Sequence, residues 1–117
     1  VRGRIAPFRY LCVLDVEATC DRSNKGWAHE IIELPIVLVD LHTLTVVDEF
    51  RSFVRPTVES TLTDFCKELT GIQQASVDSA PTLPEVLQQI DGWLSSNGLE
   101  YGPDRRDFAF ATDGPWD

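Results

Sequence analysis

The sequence contains no methionine, two histidines and three cysteines in 117 residues. With no initiator Met, it is expected to start inside a longer protein. Cys12, Cys20 and Cys66 are an odd number with no C-x-x-C spacing, which argues against a disulfide framework and a cysteine-rich zinc site. Reduced thiols point to a cytoplasmic or nuclear setting. No apolar run approaches the roughly 20 residues that span a bilayer, so no membrane partner is expected. The opening "VRGRIAPFRY" lacks the apolar centre of a signal peptide. Positive charge is scarce: 10 Lys and Arg stand against 19 Asp and Glu, for a formal net charge of −9. That excludes a protein that coats nucleic acid by electrostatics alone. An enzyme acting on nucleic acid stays open, because bound divalent cations or a basic segment elsewhere can supply the charge.

What is present is a mixed α/β pattern. Residues 9–15 form an apolar run typical of a strand buried on both faces. Residues 21–30 are polar and read as a loop. Residues 30–40 predict a second strand, in which Pro35 predicts a bulge or an edge. Residues 44–56 predict a third, joined by a turn short enough for an antiparallel hairpin. In residues 61–71, Leu62, Phe65, Cys66 and Leu69 have helical spacing, with Thr61 or Thr63 as cap and Gly71 as stop. Residues 72–80 predict a short helical turn. A longer helix over 82–98 opens with a Thr82–Glu85 capping box. Its expected buried stripe is Leu83, Val86, Leu87, Ile90 and Leu94, with Trp93 beside it as helix-face core. Residues 107–112 predict a last strand, reached by a crossover through the helices.

The first strand ends in "LDVEATC". Alternate strand residues point to one side, so Asp15 and Glu17 can share a face. Two carboxylates that close repel unless a cation lies between them. Mg²⁺ or Mn²⁺ prefers such oxygen donors. If the last strand lies beside the first, Asp113 or Asp117 of "TDGPWD" reaches the same spot. Such a cluster suits two metal ions roughly 3.5–4 Å apart and phosphodiester hydrolysis. On spacing alone, a solvated strand end is the more common origin of D-x-E. The apolar strand before it and the small Ala18 and Thr19 after it strengthen the metal reading.

Five blocks, "LDVEATC", "HEIIELPIVLVD", "FVRP", "DFCKELTGI" and "TDGPWD", together resemble the DEDDh 3′-to-5′ exonucleases. The resemblance is greatest to the branch acting on histone mRNA and small interfering RNA, and it runs from about Tyr10 to Asp117. It implies an RNase H-like fold: a mixed β-sheet with flanking helices, C-terminally incomplete here. Residues 1–9 are then a leader, and 10–117 carry the first two exonuclease motifs. The resemblance implies Asp15, Glu17 and Asp117 as catalytic metal ligands for two Mg²⁺ ions, with Mn²⁺ able to substitute. It implies substrate contacts at Glu17, Ala18, Thr19, Leu69 and Thr70. The implied activity is removal of nucleotides from RNA 3′ ends, single-stranded or with short overhangs, as nucleoside 5′-monophosphates. The family's third motif, a general-base His five residues before an Asp, has no counterpart: neither His29 nor His42 has that spacing. Both read as surface residues, and Cys20 reads as packing. The alternative is therefore a catalytically incomplete RNA- or protein-binding module. "DVEAT" and "TDGPWD" also resemble haloacid-dehalogenase-like phosphatase motifs. That class needs Asp where Glu17 stands, and a helical crossover where a hairpin is expected.

Overall fold

The computed structural model describes residues 8–23, 26–100 and 108–113. Its elements are β1 (Tyr10–Leu14), β2 (Glu17–Ala18), β3 (Ile31–Asp40), β4 (Thr45–Phe53), α1 (Asp64–Thr70), α2 (Gln74–Asp78), α3 (Leu83–Ser96) and β5 (Phe108–Thr112). One five-stranded sheet has the order β2-β3-β1-β5, with β4 also paired to β3. β1 is antiparallel to β3 and parallel to β5. The mixed sheet matches the sequence expectation, and the last strand lies beside the first, the condition on which a third carboxylate could approach Asp15.

Along β3, Ile32, Leu34, Ile36, Leu38 and Asp40 are buried in strict alternation. Pro35 does not break this strand. β1 pairs with β3 only as far as Leu14↔Ile36, and β2 begins its pairing at Glu17↔Glu33. Pro35, which has no N–H to donate, sits where the neighbouring strand is interrupted. The register irregularity lies in the partner, between Glu17 and Ala18. The two-residue β2 itself went unanticipated, being too short to carry a period.

Contacts divide the described residues into two units. The first takes in those among 1–15, 35–50 and 89–117. Here Arg9 pairs with the buried Asp40 at 3.0 Å. The Asp40 Oδ1 atom also accepts from the His42 amide at 2.8 Å, shaping the turn after β3. Leu44 closes that turn at φ 57°, in the left-handed region, and is 78% exposed. Trp93 is half-buried rather than core. Its ring lies 5.8 Å from that of Phe50, and its indole N–H donates to Asp48 at 2.9 Å. Asn97 donates to the same carboxylate at 3.0 Å.

The second unit comprises residues 16–34 and 51–88. Its core is Ile32, Leu62, Cys66, Ile72 and Val77, with Cys20 and Phe53 packed against it. Thr63 caps α1 by accepting from the Cys66 amide at 3.0 Å, and Gly71 ends the helix at φ 74°. Thr82 and Glu85 form the expected capping box, with the Glu85 carboxylate 2.8 Å from the Thr82 amide. Of the expected α3 stripe, Val86, Ile90 and Leu94 are buried and Leu83 is half-buried. Leu87 is 49% exposed, because the buried line follows a single i, i+4 row.

Candidate active site

Asp15 leaves the end of β1 and is exposed. The parallel register places Leu14 opposite Thr112, so Asp15 and Asp113 emerge from the same end of neighbouring strands. This meets, for one of the two candidate aspartates, the condition that the sequence left open. Asp117, the other and the one the resemblance selects, lies outside the described residues, as does Trp116. Among the described residues, no three His, Cys, Asp or Glu side chains gather closely enough to hold a metal ion.

Glu17 is half-buried on β2, with Glu33 opposite it on β3. Like charges in that register repel. Arg51 relieves this by an ion pair with Glu33. The Arg51–Glu33 pair thereby lessens the repulsion between the two facing carboxylates.

The residues after Glu17 are fastened on two sides. The Cys66 thiol of α1 is 3.7 Å from the Ala18 carbonyl, and the Thr63 hydroxyl donates to the Cys20 carbonyl at 2.7 Å. On the other side, the Thr19 amide donates to the Glu30 carbonyl at 2.8 Å. Thr19 is 1% exposed. Its hydroxyl donates to the Ala28 carbonyl at 3.1 Å and accepts from the Glu30 amide at 2.9 Å. Both of its hydrogen-bonding roles are thus used inside the protein. The His29 Nδ1 atom meets the Thr19 carbonyl at 2.8 Å, so this exposed histidine anchors the loop. His42 is exposed in its turn, as expected.

Leu69 is 66% exposed, not core, and so presents an apolar surface at the end of α1. Thr70 is half-buried; its hydroxyl donates to the Cys66 carbonyl at 2.8 Å and accepts from the Ile72 amide at 3.1 Å. The same helix that ties down Ala18 thus carries Leu69 and Thr70. Burial raises the Cys20 thiol to about 11, helped by Cys66 and by the charges of Glu17 and Asp21. Burial also raises Cys12 to about 11. Neither is a thiolate nucleophile at neutral pH, which agrees with the packing role read for Cys20.

Two residues escaped the sequence reading. Glu30 spans to residues 57–59, accepting from the amides of Thr57, Val58 and Glu59 at 2.9, 2.8 and 2.9 Å. Burial pushes its carboxyl up, but these amides outweigh burial and hold it below the usual range. Arg22 lies with its guanidinium 4.7 Å from the Phe65 ring centroid. No periodicity marks either contact, since both join segments distant in sequence.

Comparison with known proteins gives a consistent result. The exonuclease family model RNase T matches residues 12–111. The human protein "3′-5′ exoribonuclease 1" is 43% identical over 113 residues, covering 94% of this chain and 31% of that protein. The Schizosaccharomyces pombe "3′-5′ exonuclease eri1" is 42% identical over 127 residues, covering 93% of this chain and 43% of that protein. Among solved structures, the nuclease domain of 3′hExo, described as a DEDDh family member bound to rAMP, aligns with TM-score 0.86 at 42% identity, covering 94% of this chain and 54% of that one. The chain thus spans less than half the length of these two curated relatives. With a family model over nearly its whole length and a mixed sheet shared with DEDDh nuclease structures, the chain belongs to the RNase T exonuclease family.

Proposed function

We propose that this chain supplies the first part of a 3′-to-5′ exoribonuclease site, one that removes nucleotides from RNA 3′ ends as nucleoside 5′-monophosphates. The observation that carries the reading is the strand end itself. Asp15 emerges beside the end of the parallel β5, in a chain whose relatives bear the name exoribonuclease.

The donor chemistry fits a divalent ion. Asp15 and Glu17 offer carboxylate oxygens, the ligands that hard cations prefer. These two residues, with Asp117, would hold two Mg²⁺ ions, and Mn²⁺ would substitute. Bound there, the metals would supply an activated water and neutralise charge on the leaving oxygen. The chain's own residues do the positioning. Thr19, enclosed by the Ala28–Glu30 backbone, fixes the stretch that carries Glu17 and Ala18. Leu69 offers an apolar wall for the terminal nucleotide, and Thr70 holds the end of α1 through Cys66 and Ile72. The scissile phosphate would lie at the carboxylates, and the terminal nucleotide against Ala18 and Leu69.

The test is a trimming assay on 5′-labelled single-stranded RNA with the protein that carries this chain. Mg²⁺-dependent shortening from the 3′ end, abolished by Asp15→Ala and by a 3′-phosphate block, is expected. Unchanged trimming by Asp15→Ala would sink the assignment.

A further inference from the structure

RNA is a polyanion, and this chain is strongly acidic, with a formal net charge of −9. A chain of that charge binds RNA only where its cations are free to meet phosphates. The described residues include five Lys or Arg side chains. Arg9 is paired with Asp40, Arg51 with Glu33 and Lys67 with Asp64. Arg55 donates to the Ala80 carbonyl at 3.2 Å. Among the described residues, Arg22 is the one cation with neither a carboxylate nor a carbonyl partner. It is exposed, and it is held instead by the face of Phe65, 4.7 Å away.

That placement is specific. Arg22 follows Cys20 by two residues, and the Cys20 carbonyl is bound by Thr63 at the start of α1. Phe65 and Leu69 are four residues apart on α1, which puts them on one face of the helix. Arg22 therefore lies one helical turn from the wall proposed for the terminal nucleotide. A guanidinium resting on an aromatic ring is pre-organised, and its N–H edges stay available for a phosphate in bidentate geometry. In an enzyme working from the 3′ end, all the RNA outside the terminal pocket lies to its 5′ side. We infer that Arg22, seated on Phe65, is a further substrate-binding residue that grips a backbone phosphate of the RNA on the 5′ side of the terminal nucleotide. The inference rests on the exoribonuclease reading above.

The experiment measures binding of a fluorescent single-stranded RNA by anisotropy in EDTA, over a series of KCl concentrations. The proteins are wild type, Arg22→Ala, Arg22→Lys and Phe65→Leu, each first shown to melt cooperatively. Arg22→Ala is expected to weaken binding by roughly tenfold at moderate salt and to flatten the slope of log K against log salt by about 0.7, one phosphate's share for a single strand. Arg22→Lys keeps the slope but loses affinity, because charge remains and stacking does not. Phe65→Leu keeps the slope and weakens binding less than Arg22→Ala does. In the trimming assay, Arg22→Ala raises KM and leaves kcat unchanged. Binding of 5′-AMP, which has no 5′-side nucleotide, is unaffected. If wild type binds RNA and Arg22→Ala binds it equally with the same salt slope, the Arg22 inference is wrong and the exoribonuclease reading stands. If wild type neither binds RNA in EDTA nor trims it with Mg²⁺, both fall; if it trims without measurable binding in EDTA, an unchanged KM in Arg22→Ala overturns the Arg22 inference alone.

Discussion

The Glu30 carboxylate gives the sharpest stability prediction. It reaches across 27 residues to accept from the Thr57 amide and, across 28 and 29, from the Val58 and Glu59 amides. The Thr57 hydroxyl adds a fourth bond at 3.2 Å. Hydrogen bonds to a charged group contribute about 1.5–3 kcal/mol each when buried. Here three of the four are solvent-exposed, so water replaces part of what is lost. Glu30→Ala should therefore cost about 2 kcal/mol in total, far below the sum of four buried bonds. For a domain near this size, that lowers Tm by roughly 6–12 °C. Glu30→Gln keeps one acceptor oxygen and should lose about half as much. The pH dependence has a definite sign. The folded-state pKa is depressed by the three amides, so the carboxylate's stabilisation is fully present above the ordinary glutamate pKa and disappears as pH falls through the lower folded value. Thermal melts followed by circular dichroism, at neutral and acidic pH, would measure both effects. A Glu30→Ala variant that melts within about 1 °C of wild type at neutral pH would refute the reasoning. So would a gap between wild type and Glu30→Gln that fails to narrow on acidification.

Other outcomes follow from single contacts. Leu44→Asn relieves an exposed leucine of left-handed backbone and should stabilise the chain by about 0.5–1 kcal/mol, read as a higher urea midpoint at unchanged m. Thr63→Ala removes both the α1 cap and the tie to the Cys20 carbonyl, at a cost of about 1–2 kcal/mol; a loss below about 0.5 kcal/mol in urea unfolding would contradict that double role. Trp93→Phe keeps the ring beside Phe50 but deletes the N–H bond to Asp48, and should destabilise by about 1 kcal/mol in the same assay.

The elements most legible in the sequence were those with a period and a chemical end signal. The Thr82–Glu85 box and the Val86–Ile90–Leu94 row announced α3. Thr63 and Gly71 announced α1, and the unbroken run before Asp15 announced β1 as a strand, though not one buried on both faces: only Cys12 is buried and Val13 is 38% exposed. Pro35 was misread because its tolerance depends on where β1 and β2 part, which is a property of the partner strand. Leu87 and Trp93 were read as core on spacing, yet exposure is settled by what packs opposite each helix. Asp15 and Glu17 were visible as a motif. The supports around them, Thr19 under the Ala28–Glu30 backbone, Arg51 on Glu33 and Arg22 on Phe65, depend on tertiary contacts that carry no local signature.

The central claim is that Asp15 and Glu17 hold divalent cations. Titrating Mn²⁺ into the ¹⁵N-labelled chain tests it directly, because a paramagnetic ion broadens only the amides near it. The account predicts broadening that is strongest at the amides of residues 14–18 and at their strand partners, and that is lost in Asp15→Asn. Broadening that leaves residues 14–18 untouched, or that persists unchanged in Asp15→Asn, would contradict it.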